Sequence, residues 1–105
     1  MEHIFKHIHF LELLANPESQ EQARALISTS TKEQIDKISE LALNLLQARI
    51  DVSKHYKSKL RKDADVIRQL ADRQIGSKRR RSIAEDHTKT ISVLLTVCLR
   101  QIRDG

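Results

Sequence analysis

The chain has 105 residues, room for one domain, and carries 19 Lys and Arg against 14 Asp and Glu for a net charge of +5. With 39% apolar and 31% charged residues, the balance is that of a folded globular chain and excludes a disordered one. A single cysteine, Cys98, excludes an intrachain disulfide and fits a reducing, intracellular setting.

Residues 3–15 place Ile4, Phe5, Ile8, Leu11 and Leu14 on one helical stripe. Asn16-Pro17 then breaks the chain, with Asn16 expected to cap a second helix and Pro17 to occupy its first position. That helix runs to about Ile27 and buries Ala23, Leu26 and Ile27. Ser28-Thr29-Ser30-Thr31 offers two capping boxes, Ser30 with Glu33 and Thr31 with Gln34. The third helix carries the most regular apolar stripe of the chain: Ile35, Ile38, Leu41, Ala42, Leu45, Leu46 and Arg49 at its end.

Ser53 is expected to cap a fourth helix whose apolar positions are Tyr56, Leu60, Ala64, Ile67, Leu70 and Ala71, with Gly76 as its stop. Ser77 offers a further cap ahead of the run Lys78-Arg79-Arg80-Arg81. A last helix from about Thr88 to Arg103 holds Ile91, Val93, Leu94, Leu95, Val97, Leu99 and Ile102 and is apolar around much of its circumference. The expected fold is all-α: a single helical domain over residues 1–105, a small bundle of four to five helices with short connections. Since a bundle of this size has limited interior, Ile91, Leu94, Leu95, Cys98 and Ile102 are expected to form an interface in a homo-oligomer. The longest apolar stretch, Ile91 to Leu99, is far short of the roughly twenty residues a membrane span needs, so no integral span is expected.

The charge is divided. Residues 1–50, the packing half, hold five Lys/Arg and seven Asp/Glu, a net −2, whereas residues 51–81 hold eleven against four, a net +7. No catalytic constellation accompanies it. GxSxG, Walker-type and GxGxxG patterns are absent, and two glycines leave little to build a phosphate loop. Asp63, Asp65 and Asp72 lie among Lys and Arg and suit surface ion pairs. His3 and His7 share a helix face, but with His9 pointing elsewhere and no third ligand at a matching spacing, neither metal nor cofactor is expected. The reading is therefore non-enzymatic.

The basic segment is the strongest functional signal. Lys54, Lys57, Lys59, Arg61 and Lys62, with Lys78, Arg79, Arg80 and Arg81, are expected to contact nucleic-acid phosphates. Only Phe5, Phe10 and Tyr56 are aromatic, so stacking on single-stranded bases is not expected, and backbone contact carries little sequence specificity. A helix-turn-helix over the third and fourth helices is a weaker reading, because the turn Asp51-Val52 lacks the usual glycine. The run Lys78 to Arg81 also fits a nuclear-import signal. Two alternatives remain open: a helical adaptor or structural subunit docking on an acidic protein surface, and an amphipathic helix on anionic lipid, with only Leu60, Ile67 and Leu70 as apolar anchors.

Several blocks, in their order and spacing, carry a resemblance. They are Leu13-Leu14, Ala25-Leu26-Ile27, Thr31-Lys32-Glu33-Gln34-Ile35, Leu41-Ala42-Leu43-Asn44-Leu45-Leu46, Ser53-Lys54-His55-Tyr56-Lys57-Ser58-Lys59-Leu60-Arg61, Ile67-Arg68-Gln69-Leu70-Ala71 and Ser77-Lys78-Arg79-Arg80-Arg81. From about Leu11 to Ile83 the chain resembles the small basic core-type proteins of adintoviruses and Polinton-like elements, which are likened to the core proteins of adenoviruses. The resemblance implies a DNA-packaging or minor capsid component, virion-associated or nuclear, with DNA favoured over RNA. The family pattern continues into a Gly-rich hydrophobic tail. This chain instead continues with Ala84-Glu85-Asp86-His87-Thr88, so no membrane-active tail is implied.

Overall fold

The computed structural model describes residues 6–47 and 52–104; Ile4, Phe5, His3 and Arg49 lie outside them. Among the described residues the architecture is all-α, with no strand, and comprises seven helices rather than four to five. They are α1 (Ile8–Ala15), α2 (Gln20–Ser28), α3 (Lys32–Leu46), α4 (Lys54–Lys62), α5 (Ala64–Ala71), α6 (Ser77–Asp86) and α7 (Thr88–Asp104).

The caps decide most of the boundaries. Thr31 and Gln34 form the reciprocal capping box of α3: the Gln34 N–H donates to Thr31 Oγ1 at 3.1 Å, and the Thr31 N–H donates to Gln34 Oε1 at 2.9 Å. Ser30 takes no part in a box with Glu33. It is buried, and its hydroxyl donates to the Ile27 carbonyl at 2.5 Å, closing the end of α2. Asn16 does not cap α2 either. Its N–H donates to Glu12 O, ending α1, and Ser19 caps α2 by accepting from the Gln22 N–H at 3.0 Å. The reason is local: a residue before proline is pushed out of the helical region, so the chain needs Pro17 and Glu18 to turn before the next helix can start.

The expected fourth helix is two helices. At Asp63 the backbone departs from helical values (φ −110°, ψ 24°), its N–H bonds Leu60 O, and its own carbonyl accepts from Ile67 to start α5. The break lets the two segments serve different neighbours. α5 packs mainly on α3, burying Ile67 and Leu70, while α4 packs on α7 through Leu60. Gly76 is not the stop of this helix. The chain leaves α5 at Ala71 and reverses in an Asx turn, with the Gln74 N–H on Asp72 Oδ1 at 2.9 Å and the Ile75 N–H on Asp72 O. Gly76 is instead the N-cap of α6, at an ordinary φ of −61°, and Ser77 is the first residue inside α6 rather than its cap.

One cluster of 18 buried apolar residues joins all seven helices. α7 runs through its middle, contacted by α1, α2, α3, α4 and α6. This corrects the interface expectation: Ile91, Leu94, Leu95 and Cys98 are fully buried within the single chain, and Ile102 is partly buried against the same cluster. A helix apolar on most sides is satisfied when other helices surround it, and α7 has five such neighbours inside one molecule. Its polar positions serve the same packing. The Ser92 hydroxyl donates to Leu14 O at 2.8 Å, and the Thr96 hydroxyl reaches Ser92 O and Ala15 O, satisfying carbonyls at the end of α1. Burial pushes the Cys98 thiol up to about 12, so it acts as a core residue.

Candidate nucleic-acid interface

α4 is KHYKSKLRK: five cations and no carboxylate in nine residues, as much positive charge as the net +5 of the whole chain. Its residues divide by helical position. Leu60 is buried and Tyr56 half-buried toward the core, while Lys54, His55, Lys57, Ser58, Lys59, Arg61 and Lys62 are exposed. Lys54, Lys57, Ser58, Arg61 and Lys62 follow the spacing i, i+3, i+4, i+7, i+8, the spacing of one continuous face. Together they line a shallow open groove. None of the five cations has an ion-pair partner among the described residues. The stripe covers about 12 Å at 1.5 Å per residue, over which a duplex presents one phosphate charge per about 1.7 Å.

This crowding is costly to the helix. Lys57–Arg61 is a like-charge i,i+4 pair, Lys54–Lys57 and Lys59–Lys62 are i,i+3 pairs, and each such pair destabilises a helix by about 0.2–0.5 kcal/mol. Lys54 also stands in the first turn, where the helix dipole disfavours a cation, and the Ser53 side chain makes no capping hydrogen bond. Lys59, Arg61 and Lys62 in the last turn are favourably placed. A bound anion removes the repulsion, so the face that weakens the free helix is the one that gains most from a polyanion.

A second surface adjoins the first. Lys59 and Lys62 from α4 face Lys89 at the start of α7 across a groove of about 470 Å³, which Leu60, Asp63, Thr90, Ser92 and Val93 complete. Lys89 is the residue the sequence reading missed. It lies far along the chain from α4, and only the packing of α4 on α7 joins them.

The run Lys78 to Arg81 behaves differently from its sequence appearance. It sits in the first half of α6, where successive residues point to different sides. Lys78 and Arg79 are exposed. Arg80 is 3% exposed and belongs to the core: Nε donates to Ile75 O at 2.8 Å, one terminal nitrogen to Ser39 Oγ at 2.5 Å, and the other to Asp36 Oδ1 at 3.0 Å. Arg73 reaches the same carboxylate at 3.6 Å and Lys32 its second oxygen at 3.5 Å. On Asp36 burial is the largest single influence and acts against ionisation. It is outweighed by the Arg80 hydrogen bond and the fields of Arg73, Lys32 and Arg80, which together hold the carboxyl below its ordinary range. Arg81 is half-buried and donates to the Ser30 carbonyl at 2.9 Å. Arg80 is therefore not a phosphate contact in the folded protein, Arg81 is half-buried and held on Ser30, and the four cations do not form one continuous exposed run. A buried cation within a basic run has no signature in the sequence. It depends on Asp36 and Ser39, more than forty positions earlier, being brought beneath α6.

Among the described residues no group of three or more His, Cys, Asp or Glu is placed to hold a metal ion. His7 Nε2 lies 3.2 Å from Glu33 Oε1, and His9 is exposed on the rim of the groove between α1 and α7. No described helix is long and apolar enough to cross a membrane. No family model, curated protein or solved structure matches the chain.

Proposed function

We propose that this is a non-enzymatic nucleic-acid-associated protein that binds the phosphate backbone through the outer face of α4. The observation that carries the reading is the uninterrupted stripe Lys54, Lys57, Ser58, Arg61 and Lys62, cationic, exposed and without ion-pair partners among the described residues. Lys59 beside it, and Lys78 and Arg79 on α6, extend the positive field. Few amide side chains accompany the stripe, and the one aromatic pair of α4, His55 packed edge-to-face on the half-buried Tyr56, lies off it, so the contact is with backbone and is weakly sequence-specific. DNA packaging, as implied by the resemblance to viral core-type proteins, is the role that fits such binding.

The test is duplex binding across about 50–300 mM salt, for wild type and for a variant with Lys54→Ser, Lys57→Ser and Arg61→Ser, chosen because none of the three side chains is buried. Wild type should show a steep log–log salt slope, and the variant should lose about 2.7 from it, near 0.9 for each phosphate contact removed. No binding by wild type at the lowest salt would refute the proposal.

The groove of Lys59, Leu60, Lys62, Lys89, Thr90 and Val93 favours a second reading, an adaptor docking on an acidic protein segment, since it combines apolar floor and cationic rim. Binding anchored by an apolar side chain should fall much less with salt than phosphate binding does.

A further inference from the structure

Ser58 stands in the middle of the cationic stripe. Its hydroxyl is exposed and makes no hydrogen bond among the described residues. Lys54 precedes it by four positions, and Arg61 and Lys62 follow by three and four, which are the helical offsets at which side chains meet. Lys57 lines the same groove. We propose that Ser58 is a phosphorylation site, and that its phosphoryl group is captured by the cations that would otherwise hold a nucleic-acid phosphate. The inference rests on the phosphate-binding reading of α4 and supplies that face with a switch.

The group transfer is ordinary. Ser58 Oγ attacks the γ-phosphorus of ATP held by a protein kinase. The Oγ–P bond forms, the bond from that phosphorus to the departing ADP oxygen breaks, and the hydroxyl proton passes to the kinase's catalytic carboxylate. A kinase that selects basic residues ahead of its serine finds Lys54 and Lys57 there. The helix must open to enter a kinase cleft, and α4 is suited to do so: Leu60 is its one buried side chain, Ser53 provides no side-chain cap, and its cations repel one another. The phosphoserine carries about −1.5 to −2 charge, enough to neutralise two cations of the stripe.

Ser82 is the competing site, and by linear sequence the better one, since Arg79, Arg80 and Arg81 stand directly before it. The fold reverses the ranking. Arg80 is buried on Asp36 and Ser39, and Arg81 is tied to Ser30, so presenting Ser82 requires α6 to leave the core.

The experiment treats the full-length folded protein with such a kinase and ATP, alongside Ser58→Ala and Ser82→Ala, and maps the phosphate by mass spectrometry. Ser58 should be modified at least tenfold faster than Ser82. The phosphorylated protein should bind the duplex at least tenfold more weakly, with a salt slope smaller by about two. In a phosphorus NMR titration its second ionisation should fall below the usual value near 6 and return toward it in Arg61→Ser/Lys62→Ser. Modification of Ser82 first, no modification at Ser58, unchanged duplex binding after modification, or an unshifted phosphorus titration would each overturn the proposal. If the unmodified protein itself fails to bind the duplex, the nucleic-acid reading falls alone, and the phosphorus titration still decides whether the stripe holds the phosphoserine.

Discussion

Arg79 and Arg80 are neighbours of identical chemistry, and the structure gives them opposite weights. Replacing Arg80 with Ala removes three hydrogen bonds from a charged donor group: to Ile75 O, Ser39 Oγ and Asp36 Oδ1. A hydrogen bond to a charged group contributes about 1.5–3 kcal/mol, and breaking a buried ion pair costs about 3–5 kcal/mol. The lower end applies, because the Asp36 side chain is 17% exposed and keeps Arg73 and Lys32 as partners. Ser39, 1% exposed, also loses the partner of its hydroxyl oxygen. We expect Arg80→Ala to lose about 3 kcal/mol, a fall in Tm of about 12–20 °C for a domain of this size, and Arg79→Ala to stay within about 0.5 kcal/mol of wild type. Urea unfolding followed by far-UV circular dichroism measures both. Acid supplies an internal check. Asp36 is held below its ordinary value of 3.8, so folding favours its ionised form. The stability it contributes is present above that value and is lost as pH falls through the lower folded value. The gap between wild type and Asp36→Asn should therefore close as pH falls below about 4. Equal stabilities for the Arg79 and Arg80 variants would refute the assignment of Arg80 to the core.

Three further outcomes are expected. Thr31→Ala, which removes one half of the capping box, should destabilise the fold by about 1 kcal/mol in the same urea assay. Leu94→Ala, at a fully buried position on the central helix, should cost about 2–5 kcal/mol and leave the apparent mass by light scattering unchanged, because its contacts lie within one chain. Cys98, whose thiol burial pushes up to about 12, should resist a disulfide reagent at pH 8 in the native protein and react fully once the chain is unfolded.

The basic face illustrates how much of a site can be read without a structure. Lys54, Lys57, Lys59, Arg61 and Lys62 were legible as exposed because helical spacing puts Tyr56 and Leu60 on the opposite side, and the structure has that division. The same rule fails for Arg80. A charge run reads as solvated unless a distant carboxylate meets it, and that carboxylate, Asp36, stands on α3, 44 positions earlier in the chain. The misread boundaries have equally local causes. Asn16 and Ser19 are both good N-caps, and Pro17 decides between them by occupying the turn. At Asp63 a poor helix former interrupts a stripe whose apolar periodicity runs on without a break.

Helical class, the stripe of α3 from Ile35 to Ala42, the extent of α7 and the concentration of charge between residues 51 and 81 are local properties, whereas Leu46, expected on the same stripe, is exposed. They follow from spacing and propensity along a few turns, and the residue order alone was sufficient for them. Which neighbour each apolar face meets is not local. Placing α7 at the centre satisfied Ile91, Leu94, Leu95 and Cys98 within one molecule, where composition pointed to a partner copy. Bringing Asp36 and Ser39 under α6 turned one arginine of four into a core residue. Packing α4 on α7 set Lys89 beside Lys59 and Lys62. In each case the deciding contact joins residues tens of positions apart, and the free energy of burying or pairing them exists only once the helices have docked.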